Sequence, residues 1–316
     1  MNIVVLDKKT LGEDTPFDAI AKYGTLTMYD NTAPCEVIEH CKDADAIIVN
    51  KVKITEEVFS ACKQLKLVCV FATGYDNVDV SAAARYGVGV CNVPAYSKDS
   101  VALFTVATVL SLYTHLREYN DYVTSGRYSA SGMANSLVPV YHELRGKTWG
   151  IIGLGNIGRA VAKVAEAFGA HVVVCKRTPA SDFETVDIDT LCRNSDIITV
   201  HVPLTEETEG LISEKRISLM KKDVIIVNEA RGAVLNEEDI TRAIECGRIG
   251  GFGCDVYSKE PMAENHPFNR IMNRKNVLLT PHAAWGAYEA RERCASIIGE
   301  NLASFLSGGT LNRVDI

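Results

Sequence analysis

No C-x-x-C pair occurs among the ten cysteines of this 316-residue chain, no block of like charge exceeds a few residues, and no apolar run is long enough to span a bilayer. Each absence removes a class. Without paired cysteine ligands, a zinc module or a redox dithiol is excluded, and Cys69, Cys91, Cys175 and Cys254 lie in apolar runs as small buried hydrophobes. No metal site or disulfide is expected. A net charge of −7, spread evenly, gives no footprint for nucleic acid. The longest apolar stretch, Val101 to Leu116, is broken by Thr105, Thr108, Ser111, Tyr113, Thr114 and His115, so it reads as a buried helix and not as a membrane span. The first residues, Met1 to Asp7, are too short an apolar run for a signal peptide and read as a strand. A cytoplasmic protein with no membrane partner is therefore expected. There is no internal repeat and no low-complexity segment.

What remains is an alternation of strand-like and helix-like segments, the pattern of parallel sheets covered by helices. Strands are predicted at Ile3–Leu6, Leu26–Tyr29, Ala46–Val49, Leu67–Phe71 and Val88–Cys91, then at Thr148–Ile152, His171–Cys175, Ile197–His201, Val224–Val227, Ile249–Gly253 and Val277–Leu279. Two sheets in two domains follow, since 316 residues exceed what one core usually serves. The chain is expected to cross once near Ser97, with Lys98-Asp99-Ser100 capping a long helix, and again just after His282. From about Trp285 a last helix with Ile297, Ile298, Leu302, Phe305 and Leu306 at helical spacing runs to Gly308-Gly309 and returns to cover the first sheet. The predicted domains are 1–97 with 287–316, discontinuous, and 98–286. Between Arg117 and Arg145 a Tyr-, Ser- and Gly-rich stretch with little periodicity is expected to be an arm, a lid or a dimer contact.

Gly153-Leu154-Gly155-Asn156-Ile157-Gly158 follows a strand and opens a helix with Ile157, Ala160, Val161, Val164, Ala165 and Phe168 as its apolar face. In that context G-x-G-x-x-G is a dinucleotide signature. Gly153 permits the turn, Gly155 lets a pyrophosphate approach the backbone, Gly158 lets helix and strand pack closely, and the helix N-terminus attracts the phosphates. NAD sites usually carry an acid about 20 residues further on for the ribose 2′-hydroxyl. Here the next strand ends in Cys175-Lys176-Arg177, with no acid until Asp182. NADP(H) is therefore favoured over NAD(H), with Lys176 and Arg177 on the 2′-phosphate; the alternative is that both are simply solvated.

Three polar residues follow predicted strands further along: Arg231 in Asn228-Glu229-Ala230-Arg231-Gly232, Glu260 in Asp255-Val256-Tyr257-Ser258-Lys259-Glu260-Pro261, and His282 in Thr280-Pro281-His282. In open α/β sheets ligands bind at the carboxyl ends of strands. With these motifs, Thr73-Gly74-Tyr75-Asp76-Asn77-Val78-Asp79, His201-Val202-Pro203-Leu204-Thr205 with Thr208, and Trp285, the chain resembles the D-isomer-specific 2-hydroxyacid dehydrogenases over essentially its whole length. It is most similar to their glycerate dehydrogenase, or hydroxypyruvate/glyoxylate reductase, branch. The resemblance implies two Rossmann-like doubly wound domains, the first discontinuous and substrate-binding, the second binding the dinucleotide, with the active site in the cleft between them and a homodimer as the assembly. It also implies cofactor contacts by Asn156, Ile157, Pro203, Thr208, Ala230, Arg231 and Asp255, and substrate-carboxylate contacts by Gly74 and Tyr75. The chain departs from that pattern where Ala95-Tyr96-Ser97 replaces a frequent Gly-x-Asn and Leu103 a common Glu.

Reducing a 2-keto acid requires a grip on the carboxylate, a hydride, and a proton for the oxygen that gains charge. Arg231 suits the first, its planar guanidinium binding carboxylate and polarising the carbonyl. His282 suits the last, and Glu260 would bond its other ring nitrogen. His201, also after a strand, is the rival proton donor, read instead as a residue beside the cofactor. A nucleotide-sensing corepressor of the same fold is the other functional class, disfavoured by the intact catalytic three and by the lack of long tails. Formate oxidation is disfavoured because that relative pairs its histidine with glutamine. Asn50, Tyr75, Ser97 and Trp285 are candidate pocket residues, and the acid expected to fit is hydroxypyruvate first and glyoxylate second.

Overall fold

The computed structural model describes residues 1–178 and 180–316. The chain forms two units, Met1–Ser97 with Gly286–Ile316, and Lys98–Trp285. The second crossing thus falls one residue before the predicted boundary at 287.

In the first unit, β1 (Asn2–Val5), β2 (Thr25–Met28), β3 (Ala46–Val49), β4 (Leu67–Val70) and β5 (Gly89–Cys91) form an all-parallel sheet of order β2-β1-β3-β4-β5. Strands β3 and β4 are buried along their whole length, which is why they read as unbroken apolar runs. The last helix, Tyr288–Leu306, belongs to this unit, burying Cys294, Ile298 and Leu302, and ends with Gly308 in the left-handed region.

In the second unit, β6 (Thr148–Ile152), β7 (His171–Cys175), β8 (Glu184–Thr185), β9 (Ile197–Val200), β10 (Ile225–Asn228), β11 (Gly251–Cys254) and β12 (Val277–Leu279) form a parallel sheet of order β12-β11-β10-β9-β6-β7-β8. From β6 on, this is the doubly wound 3-2-1-4-5-6 order with one strand added. The register aligns Cys175, Ile152, Val200, Asn228, Cys254 and Leu279 in one row across the sheet. The motifs singled out in this half of the sequence begin at the residue after that row, or in it at Asn228, so all of them emerge at one edge.

Several expectations need correction. Lys98-Asp99-Ser100 is the first turn of the helix Lys98–Tyr113 itself and not its cap. β10 runs one residue later than predicted, and β11 starts two residues and ends one residue later, so Asn228 and Cys254 end strands. The two-residue edge strand β8 was not foreseen. The stretch 117–145 is not without regular structure: helices Leu116–Thr124 and Arg127–Ser131 occupy its first half, and neither buries a residue. In the helix Asn156–Ala167 the buried face is Gly158, Val161, Ala162 and Ala165, while Val164 and Phe168 are exposed. Among the described residues no single helix is long and apolar enough to cross a membrane.

Candidate active site

The glycine cluster is built for three different tasks. Gly153 has φ +95°, and a Cβ there would meet the His201 carbonyl oxygen at 2.6 Å, so the turn is closed against the end of β9. A Cβ on Gly158 would meet the Gly153 oxygen at 2.1 Å, so the helix lies directly on its strand. Gly155 differs: nothing lies within 4 Å of its Cβ position. It is also the N-cap of the helix Asn156–Ala167, with no side chain capping it. Open room beside the first N–H groups of a helix is what a pyrophosphate requires, so these residues fit a dinucleotide.

Beyond β7, Lys176 is half-buried and Arg177 exposed. The first acid downstream, Asp182, pairs with Arg159 on the glycine-turn helix. Thr208 donates to the Pro203 carbonyl at 2.6 Å and accepts from the Thr205 N–H at 2.8 Å, so its hydroxyl shapes the loop after β9. His201 lies deeper than its position in sequence suggests. Its Nε2 is buried and has no hydrogen-bond partner among the described residues, and burial pushes its pKa down to about 4. A ring held neutral at pH 7 lacks the extra imidazolium proton that a general acid gives up.

The ends of β10, β11 and β12 bring together the three residues singled out from sequence. Asn228 closes a small turn by donating from Nδ2 to the Arg231 carbonyl at 2.9 Å and accepting from the Ala230 N–H at 3.1 Å. Arg231 Nη1 donates to the Ala230 carbonyl at 2.8 Å, so that its guanidinium is held back along its own turn. Next to it, a Cβ on Gly232 would meet the Tyr257 carbonyl carbon at 2.0 Å. Only glycine lets the Arg231 turn press against the loop carrying Glu260. Glu260 accepts from the Tyr257 N–H through Oε1 at 3.1 Å, and its Oε2 lies 2.7 Å from His282 Nδ1. A carboxylate at Nδ1 fixes the proton on that nitrogen and leaves Nε2 as the atom that exchanges one.

His282 has φ +55°, a left-handed backbone that side chains seldom adopt. Asp255, 1 % exposed, holds that turn. It accepts from Thr280 Oγ1 at 2.6 Å and from the N–H groups of Ala283 and Ala284 at 2.8 Å each. Sequence reasoning placed Asp255 among cofactor contacts; the structure shows it engaged with the histidine turn. Tyr257 reinforces the same corner, its hydroxyl donating to the Thr280 carbonyl at 2.8 Å. Strain at such a position persists only where neighbours over-determine it.

In the first unit, Gly74 and Tyr75 lie on the loop after β4, with Tyr75 39 % exposed. Asn50, a candidate pocket residue, is only 6 % exposed and donates its side-chain amide to Thr10 at 2.9 Å. The residue sequence reasoning missed here is Asp7, whose carboxylate accepts from the N–H groups of Asn50, Lys51 and Val52. A lone acid after a strand carries no motif that would have revealed it.

Residues 106–284 match the family described as D-isomer specific 2-hydroxyacid dehydrogenase, NAD binding domain. A hydroxypyruvate reductase of Blautia hydrogenotrophica is 36 % identical over the full length of both chains. A glyoxylate reductase of Korarchaeum cryptofilum is 34 % identical over 92 % of this chain and 89 % of its own. Among solved structures, D-lactate dehydrogenase from Aquifex aeolicus, complexed with NAD and lactic acid, superimposes with a TM-score of 0.87 at 30 % identity, covering 100 % of this chain and 99 % of that one. The chain belongs to the D-isomer specific 2-hydroxyacid dehydrogenases, enzymes that exchange a hydride between a nicotinamide cofactor and a small 2-hydroxy or 2-keto acid.

Proposed function

We propose that this enzyme is a D-glycerate dehydrogenase-type reductase acting on hydroxypyruvate, with glyoxylate as second substrate, and that it prefers NADPH. The observation that carries the catalytic part is the His282–Glu260 pair at 2.7 Å beside the Arg231 turn. When bound, the nicotinamide supplies the hydride. Arg231 grips the substrate carboxylate and polarises the neighbouring carbonyl, His282 delivers a proton from Nε2 to the carbonyl oxygen, and Glu260 steadies the imidazolium. Gly74 and Tyr75 are proposed as backbone donors to the carboxylate, on the resemblance alone. Ala230, Pro203 and Thr208 are proposed beside the cofactor on the same ground, with Asn156 and Ile157 at its pyrophosphate.

The substrate reading rests on the names of the relatives, a hydroxypyruvate reductase and glyoxylate reductases. The cofactor reading rests on Lys176 and Arg177 standing where an acid would hold a ribose hydroxyl, and on Asp182 being committed to Arg159. A homodimer is proposed from the exposed apolar side chains of one region: Leu116, Val123, Met133, Leu137, Val138 and Val140. A cytoplasmic setting goes with ten free cysteines.

The test is a panel of 2-keto acids assayed with NADPH and NADH. Highest kcat/KM is expected for hydroxypyruvate with NADPH, falling about 10–100-fold with NADH, since a charge-assisted phosphate contact contributes about 1.5–3 kcal/mol. A clear preference for NADH overturns the cofactor reading, and a bulkier acid at the head of the panel overturns the substrate reading. Tight nucleotide binding with no turnover on any acid would overturn both in favour of a sensor.

A further inference from the structure

Between the Arg231 turn and the long helix of the second unit lies an acid that the reaction as described does not use. Glu229, directly after β10, is 9 % exposed. Its Oε2 is 2.6 Å from Thr105 Oγ1 and its Oε1 is 3.1 Å from Thr108 Oγ1, both on the helix Lys98–Tyr113. The same helix reaches the histidine turn, where Ser100 Oγ donates to the Ala284 carbonyl at 2.6 Å. It is seated tightly, since a Cβ on Gly253 of β11 would meet the Thr108 methyl at 2.3 Å. Glu229 thus joins one end of the Arg231 turn to the helix that also holds the residues after His282.

We propose that Glu229 is a positioning residue that carries its proton in the working enzyme, and that this neutral carboxyl lets the Arg231 turn lie beside the Asp255 carboxylate that anchors the His282 turn. Three observations support it. The first is a proton count. Thr105 Oγ1 lies 2.8 Å from the Val101 carbonyl as well as 2.6 Å from Glu229, and a hydroxyl has one proton to give. If that proton goes to Val101, as in the usual back-bond of a helical threonine, the contact to Glu229 is made only when the carboxyl is the donor. The chain then runs in one direction, from Thr108 to Glu229 Oε1, from Glu229 Oε2 to Thr105, and from Thr105 to Val101, with each proton used once.

The second observation is the company Glu229 keeps. The groups that act on it are the hydroxyls of Thr105 and Thr108 from the helix and the Asp255 carboxylate and Cys254 thiol from the end of β11. Three donors converge on Asp255, the arrangement of a group that only accepts. Two ionised acids side by side in a buried corner repel, so the one with hydroxyl neighbours keeps the proton. The third is burial itself, which with the Asp255 charge pushes the Glu229 pKa up to about 8 even when both hydroxyls are counted as donors to the charged form.

The inference rests on the roles assigned above to Arg231 and His282, and its tests separate it from them. Glu229→Gln keeps both contacts, donating to Thr105 and accepting from Thr108, without a proton to lose. Near neutral pH the natural enzyme should show the infrared carbonyl band of a buried protonated carboxylic acid, absent in E229Q. That measurement needs no substrate. Because the folded pKa is raised, the proton stabilises the fold fully below pH 4.5, and that contribution is lost as pH rises to about 8. The stability of E229Q relative to the natural protein should therefore climb across that window in urea titrations. The kcat ratio of E229Q to the natural enzyme should rise several-fold above pH 8, a ratio from which the titration of His282 cancels. Glu229→Leu, similar in size but without a donor, should lose kcat where Gln retains it. No carboxylic-acid band, a flat stability difference, or a ratio independent of pH would each overturn the proposal.

Discussion

The loops at the carboxyl ends of the two sheets use their polar side chains in opposite ways. At the seven-stranded sheet the side chains meet one another: His282 with Glu260, Asp255 with Thr280, Glu229 with Thr105 and Thr108. At the five-stranded sheet, the Asn50 amide on Thr10 apart, they turn onto backbone. Asp7 gathers the N–H groups of three consecutive residues, Asn77 donates to the carbonyls of Asn50 and Val52, Thr73 donates to the Val93 carbonyl, and Asn92 to that of Thr73. One sheet edge therefore offers titratable groups held at fixed distances, and the other offers a shaped main chain. Proton transfer depends on a side chain of suitable chemistry, whereas backbone amides suit a carboxylate.

The sharpest way to break this contrast is at His282. His282→Ala should lower kcat by about 10²- to 10⁴-fold, the usual contribution of a positioned general acid, with little change in nucleotide affinity. His201→Ala should do the reverse, leaving most of kcat while weakening cofactor binding, because the His201 ring is buried and its backbone closes the glycine turn. Steady-state kinetics with a nucleotide titration separates the two. A mild effect on kcat at His282 would remove the side-chain half of the comparison.

Asp7 tests the other half. Asp7→Ala leaves the N–H groups of Asn50, Lys51 and Val52 without this acceptor, and at the buried one, Asn50, the orphaned donor costs about 1–3 kcal/mol. The urea midpoint should fall and KM for the keto acid should rise, while kcat at saturation changes far less than in the His282 variant. If instead kcat collapses with KM unchanged, the loops of the first unit are not a passive backbone frame.

How much of this was legible in sequence follows from the same physics. Strands buried on both faces are continuous apolar runs, so ten of the twelve could be placed within one residue and β11 within two; β8, two polar residues at a sheet edge, left no such trace. The helices Leu116–Thr124 and Arg127–Ser131 bury nothing, so burial imposes no 3.6-residue period on them. Arg231, Glu260 and His282 stood out because each sits in a recognisable motif after a strand. Their supports did not. Asp7 is a single acid, and the value of Glu229 depends on Thr105 and Thr108 more than 100 residues earlier, a pairing that only the packing of helix on sheet creates.

The smallest expected effect bears on the backbone half of the comparison most directly. Ala95, at the end of the first unit's loops, has φ +59°, where the Cβ of an L-residue crowds its own carbonyl at a cost of about 1–2 kcal/mol. This is the position at which the family frequently carries glycine. Ala95→Gly relieves that strain but adds about 0.5–1 kcal/mol of chain entropy to be lost on folding. The strain relieved is the larger of the two, so a net gain of about 0.5–1 kcal/mol, or roughly 2 °C in Tm, is expected. The sign is what matters. A rise shows that the chain holds this turn against its own residue preference, as a frame shaped for a ligand must, whereas a fall shows that the alanine methyl is packed and that the turn is set by side-chain contacts, as on the other sheet.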